Sequence, residues 1–247
     1  MAGHSKWANI QHRKGRVDAA RGKLWSKLSK AIIMAAQSGG GDPAANFRLR
    51  KAIDDAKAVS MPKDNISRAI KRGTGELGGS RVEEVVYEGY GPGGVAIMCE
   101  SLTDNRNRTA PEMRSTFSKM GGELGKTGCV AYLFDRKGLF VFAGEEVDEE
   151  RITEIALESG GEDVESTDDG KLQVTCSPDA YDSLADAFEA AELTPEVKQV
   201  TLIPQTTVDV DEATGKKVMR LLEQLDDHDD VQNVSTNLNI TDEMLSE

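Results

Sequence analysis

The sequence predicts an α+β protein in three domains: an N-terminal helical bundle behind a basic arm, an α+β domain, and a ferredoxin-like α+β domain inserted in the second. Three observations predict it. The hydrophobic period changes from 3.6 to 2 across GTGELGGS (residues 73–80), which holds four glycines in eight residues and reads as a linker. From Gly138 the elements run β-α-β-β-α-β, the ferredoxin-like order. Residues 81–134 supply strands but only one helix, so the strands and helix of 205–247 return to complete that domain. The predicted divisions are 1–80, 81–134 with 205–247, and 135–204.

Each element has a local reason. Residues 1–18 show no apolar period and read as a flexible basic arm. A helix follows from Ala19 to Gln37, with Leu24, Leu28, Ala31 and Ala35 on one face and SGGG ending it. Asp42 offers an N-cap with Pro43 at the first helical position, and Leu49, Ile53 and Ala56 continue a second stripe. A third helix spans about Pro62 to Arg72, with Gly73 expected in the left-handed conformation beyond its end. This bundle has a thin core and is expected to be mobile or docked elsewhere. Glu84–Tyr90 and Val95–Leu102 read as strands around the turn GYGPGG. Thr109 and Glu112 form a capping box ahead of Met113, Phe117 and Met120, and Val130–Phe134 is a further strand. In the last part, strands are expected at Leu139–Phe142, Asp163–Ser166, Lys171–Cys176 and Glu196–Leu202, and helices at Glu149–Glu158 and Asp179–Ala191. The tail adds a strand near Thr207–Val210, a helix from Glu212 to Leu225 and a strand near Val231–Ile240.

Several function classes find no support. The longest purely apolar run, Ala31–Ala36, is far short of the roughly 18 residues a membrane helix needs, and MAGHSKWANIQHRK has no signal-peptide core. Three widely spaced cysteines, Cys99, Cys129 and Cys176, make no disulfide scaffold, so the cytoplasm is expected. GTGELG matches GxGxxG, but a helix precedes it and a strand follows, the reverse of a dinucleotide site. GELGKT resembles the end of a phosphate-binding loop with its first glycine one residue too close. LDDHDD (225–230) is a solvated turn, with weak divalent-cation binding as the sharper alternative. No catalytic elbow, zinc pair or thiolate setting is present. The expectation is therefore a binding protein, with no catalytic residue, no metal and no cofactor.

Charge is the informative feature. The net charge is -13 overall, yet residues 1–80 carry 16 Lys and Arg against 6 Asp and Glu, while residues 138–247 carry 6 against 29. A basic end beside an acidic end suits a polyanion partner at one pole. The candidate nucleic-acid contacts are His4, Lys6, His12, Arg13, Lys14 and Arg16 in the arm, then Arg21, Lys23, Lys27 and Lys30 on the first helix. Lys63, Arg68 and Lys71 on the third helix join them. Lys23, Lys27 and Lys30 form one stripe expected to face solvent. Trp7 is a candidate for stacking on unpaired bases. Arg106 and Arg108 stand before a helix N-terminus, where they read equally as phosphate ligands or as structural ion pairs with strand carboxylates.

The segments MAGHSKWANIQHRK, SGGGDPAANFRLRKAI, MPKDNISRAIKRG, YEGYGPGGVAI, SLTDNRNRT and GCVAYLF together resemble the YebC family, which includes a mitochondrial translational activator of cytochrome oxidase. The resemblance covers essentially the whole chain. It implies a helical N-terminal domain and two α+β domains, the third ferredoxin-like and inserted in the second. It also implies a regulator of gene expression that binds DNA in transcription. The alternative it implies is an RNA- or ribosome-associated translation factor, including on proline-rich nascent chains. The expected partner is nucleic acid, DNA or ribosomal RNA, with no membrane, and the chain is expected to be a monomer or weak oligomer. Gln11, Phe47 and Cys129 depart from the family's usual basic residue, proline and serine. The first removes one phosphate contact at most, and the other two read as structural.

Overall fold

The computed structural model describes residues 6–11, 21–143, 148–167 and 170–245. Residues 6–11 are helical, and three helices follow: α1 (Arg21–Gly39), α2 (Phe47–Ala58) and α3 (Lys63–Gly73). Leu49, Ala52, Ile53, Ile66 and Ala69 pack against Ile32, Ile33, Ala35 and Ala36 of α1. This core also takes in Val82 and Leu102, so the bundle is docked rather than free.

Two starts and stops differ from expectation. α2 begins at Phe47 behind Asn46, not at Pro43. The Asn46 side chain accepts from the Leu49 amide at 3.0 Å and donates to the carbonyls of Ala35 and Gly40, tying two helices with one residue. Asp42 instead caps a turn by accepting from the Ala44 amide. Gly73 lies inside α3, and the left-handed residue is Gly75 (φ 84°). A Cβ at Gly73 would sit 2.6 Å from both the Ile33 carbonyl oxygen and Ala36 Cβ, so this glycine serves the close approach of α1 and α3.

The first sheet contains β1 (Glu83–Tyr90), β2 (Ala96–Thr103), β3 (Glu123–Leu124) and β8 (Val231–Thr236), in the order β3-β1-β2-β8. One face carries α4 (Arg106–Lys119) and α7 (Glu212–Asp226), whose Met113, Phe117, Val218, Leu221, Leu222 and Leu225 are buried against Val85, Tyr87, Ile97 and Cys99. A short α8 (Asp242–Leu245) closes that core with Met244. The N-cap of α4 is Asn105, not Thr109. Thr109 lies within the helix, fully buried and hydrogen-bonded to Thr103 at 2.8 Å.

The second sheet contains β4 (Phe134–Phe142), β5 (Gly161–Ser166), β6 (Leu172–Cys176) and β7 (Val197–Pro204), antiparallel in the order β5-β6-β4-β7. With α5 (Glu149–Ser159) and α6 (Tyr181–Ala190) on one face, this is the ferredoxin-like arrangement. Its strands fall between β3 and β8 in the chain. Residues 131–133 form a 3-10 turn rather than the expected strand. The cause is Glu88, whose buried carboxylate accepts from the amides of Gly128, Val130 and Ala131 at 2.7, 3.0 and 2.9 Å and so removes them from any ladder. The expected strand near Thr207–Val210 is reduced to a single parallel bridge, Val208 to Leu238. Among the described residues, no helix is long and apolar enough to cross a membrane.

Candidate nucleic-acid interface

The α1 lysines do not face solvent as expected. They face the chain's own acidic turn at 226–230. Lys27 Nζ donates to the Asp226 carbonyl oxygen at 2.6 Å and pairs with its carboxylate at 3.2 Å. Lys30 Nζ donates to the Asp229 carbonyl oxygen at 2.8 Å and pairs with the Asp230 carboxylate. Lys23 is looser, 3.8 Å from Asp227, and half exposed. The Lys27 and Lys30 side chains retain only 16% and 17% of their exposure, which removes them from the free basic surface. Opposite charge explains the reversal: the nearest concentrated anion is a turn some 200 residues along the chain. Of the carboxylates considered for a divalent cation, those of Asp226, Asp227 and Asp230 are thus engaged by lysines.

The turn is itself firmly held. Burial would raise the Asp230 carboxyl, but hydrogen bonds from Lys30 and Thr109, with the Lys30 charge, outweigh it and hold the group at about 2. Arg108 lies 3.5 Å from the same carboxylate. The Asp230 amide donates to His228 Nδ1 at 3.1 Å, which leaves Nε2 to meet Glu112 at 3.0 Å. Gln11, where a basic residue was expected by resemblance, donates to Asp226 Oδ1 at 3.1 Å.

Trp7 is corrected most plainly. It is 1% exposed, lies in the core of the first sheet, and donates its indole N–H to the Val234 carbonyl at 2.8 Å. It has no face left for a base. Its neighbour Ala8 is buried against Leu139, Val141, Val197 and Ile203 on the open side of the second sheet. Residues 6–11 therefore wedge between the two sheets instead of forming a flexible arm, because Trp7 and Ala8 supply apolar surface to both. Lys6 pairs with Asp242 at 3.0 Å. His4, His12, Arg13, Lys14 and Arg16 lie outside the described residues, as does the Arg21 side chain.

Arg106 and Arg108 form structural ion pairs, the second of their two readings. Arg106 lies 3.6 Å from Glu83, and Arg108 lies 3.2 Å from Asp104 as well as near Asp230. Asp104 also receives Arg72 at 2.8 Å, and that hydrogen bond is the main cause that lowers its carboxyl from the ordinary value. Arg72 thereby fastens α3 to the body of the protein.

The third helix keeps what the first loses. Lys63, Arg68 and Lys71 are exposed, and none makes an ion pair among the described residues. Lys63 and Lys71 flank a groove of about 420 Å³ floored by Ile53, Ile66 and Ile70. Sequence reasoning passed over α2. Phe47 is 54% exposed, with the Arg50 guanidinium 5.3 Å from its ring centroid. Lys51 sits 4.4 Å from the Tyr181 ring centroid of the ferredoxin-like unit. The run FRLRK (47–51) carried the signal. Tyr132, 67% exposed, is a further uncovered aromatic.

No thiol is set up as a nucleophile. Burial pushes Cys176 up to about 11 and raises Cys99 further, and Cys129 is also raised by desolvation.

Comparison with known proteins agrees with this architecture. Residues 5–76 match the family described as TACO1/YebC protein N-terminal domain, and residues 82–238 match TACO1/YebC second and third domain. A relative from Rhodopirellula baltica, named Probable transcriptional regulatory protein RB5500, is 71% identical over 100% of both chains. One from Maridesulfovibrio salexigens, named Probable transcriptional regulatory protein, is 54% identical over 100% of this chain and 99% of its own. The crystal structure of a conserved hypothetical protein from Aquifex aeolicus superposes with a TM-score of 0.84 at 47% identity, covering 94% of this chain and 96% of that one. With profiles spanning nearly its full length and relatives above half identity throughout, the chain belongs to the TACO1/YebC family.

Proposed function

We propose that the protein is a nucleic-acid-binding regulator of gene expression, acting by binding rather than catalysis, with duplex DNA as its target. The observation that carries this reading is the outer face of α3. It holds three exposed cations with no ion pair among the described residues, whereas the described lysines of α1 are engaged by the chain's own acids. A cation without an internal partner remains available to a phosphate. Lys63, Asp64 and Asn65 at the helix start, with Arg68 one turn on, are residue types that read base edges. The name shared by the relatives supports the transcriptional assignment.

A second reading, RNA as the target, is favoured by a separate observation. Phe47 with Arg50 beside it, and Tyr132, are exposed aromatics of the kind on which unpaired bases stack. Fluorescence anisotropy with a duplex DNA and a single-stranded RNA of equal length, at a series of salt concentrations, tests both. Lys63→Ala/Arg68→Ala/Lys71→Ala is expected to weaken duplex binding and to flatten its salt slope by roughly three units, one per contact. An unchanged slope would remove α3 from the interface. Tight RNA binding lost in Phe47→Ala, with weak duplex binding throughout, would favour the second reading.

A further inference from the structure

Resting on that functional reading, we infer that the groove between α1 and α4 is a second binding track for a phosphodiester backbone, masked by the acidic turn at 226–230. The groove is about 700 Å³ and is lined by Lys23, Lys30, Arg108 and Lys119. Four cations along one channel are a track suited to a polyanion. What occupies them is the turn: Asp227 at Lys23, Asp230 at Lys30 and Arg108, and next to these Asp226 at Lys27. The carboxylates and carbonyls of this turn stand at successive lysines one helical turn apart, as successive phosphates would. Lys119 is exposed and makes no ion pair among the described residues, so the track has an open end where a backbone first engages.

The two ends of the turn differ in strength. Asp230 is buried and the Asp226–Lys27 pair is only 16% exposed on either side, whereas the Lys23–Asp227 pair is half exposed at 3.8 Å. Exposed pairs exchange partners readily and are screened by salt. A phosphate chain entering past Lys119 therefore displaces Asp227 and frees Lys23, while Asp226 and Asp230 keep the rest of the turn in place.

Asp227→Asn tests this, with Asp182→Asn as a control that removes one exposed acid from α6. Binding of duplex DNA and of single-stranded RNA is measured against salt concentration. Freeing one lysine should steepen the slope by about one unit, and tighten binding by about tenfold at ~0.1 M salt, beyond any change in the control. Adding Lys23→Ala to the first variant should erase the gain. Whichever nucleic acid shows it is the backbone the track takes. If wild type binds but the turn variant matches the control, the masking idea fails and the α3 reading stands. If no variant binds either nucleic acid at low salt, both fail.

Discussion

Replacing Trp7 with alanine should destabilise the protein heavily, although it lies in a segment that reads as an unstructured arm. The side chain is 1% exposed, packs within the core formed by β1, β2, β8, α4 and α7, and donates a 2.8 Å hydrogen bond to Val234. Truncating a buried aromatic to alanine costs about 3–5 kcal/mol where the cavity cannot collapse. Losing the indole donor adds about 1 kcal/mol. Against a total stability of roughly 5–15 kcal/mol, this is a large fraction. Urea unfolding followed by circular dichroism should show the midpoint falling by about 1.5–3 M, for a slope near 2–3 kcal/mol/M. Trp7→Phe keeps most of the apolar surface without the donor and should lose about 1–2 kcal/mol. A loss below about 1 kcal/mol for Trp7→Ala would show that residues 6–11 do not seal the two sheets in solution.

Three further outcomes are expected. Glu88→Gln replaces one acceptor of a carboxylate that holds three amides, and should cost about 1–3 kcal/mol while raising amide exchange at Gly128, Val130 and Ala131. Gly138→Ala places a Cβ 2.5 Å from Cys176 Sγ and 2.8 Å from Tyr181 Cδ2, so the ferredoxin-like unit should lose about 1–3 kcal/mol in thermal unfolding. The Asp230 carboxyl lies at about 2 in the folded protein against an ordinary 3.8, so its contribution is fully present above about pH 4 and is lost as pH falls through 4 toward 2. That drop is about 2 kcal/mol. Denaturant midpoints across this window should show a shallower fall in Asp230→Asn than in wild type, and identical slopes would place the acid transition elsewhere.

What was legible in the sequence was what is decided locally. Periodicity and caps placed α1, α3, α5 and α7 within a few residues, because a helix states its buried face every three or four positions. The β-α-β-β-α-β order was readable for the same reason. Features set by distant partners were not. Lys23, Lys27 and Lys30 formed a clean stripe, but a stripe does not say whether water or Asp226–Asp230 lies opposite. Trp7 sits in a polar stretch without period, so its burial depends on a cavity that β8 and α7 build some 230 residues later. Asp42–Pro43 is the stronger capping signal by local rules, yet Asn46 wins because its amide reaches carbonyls of the preceding helix. Within the candidate interface, Lys63, Arg68 and Lys71 are exposed, while Arg72 of the same helix is held by Asp104. The Phe47–Arg50 pair has no local signature, because the start of a helix does not state whether its aromatic meets solvent or core.

The central claim is that nucleic acid lies along the exposed face of α3. Limited acetylation of lysines, read by mass spectrometry with and without a saturating duplex DNA or single-stranded RNA, tests it most directly. The free protein should react fast at Lys63 and Lys71 and slowly at Lys27 and Lys30, whose ammonium groups are held by carbonyls and carboxylates. Adding nucleic acid should protect Lys63 and Lys71 severalfold while leaving Lys198, exposed on β7, unchanged. Lys63 and Lys71 reacting equally fast with and without bound nucleic acid would contradict the account.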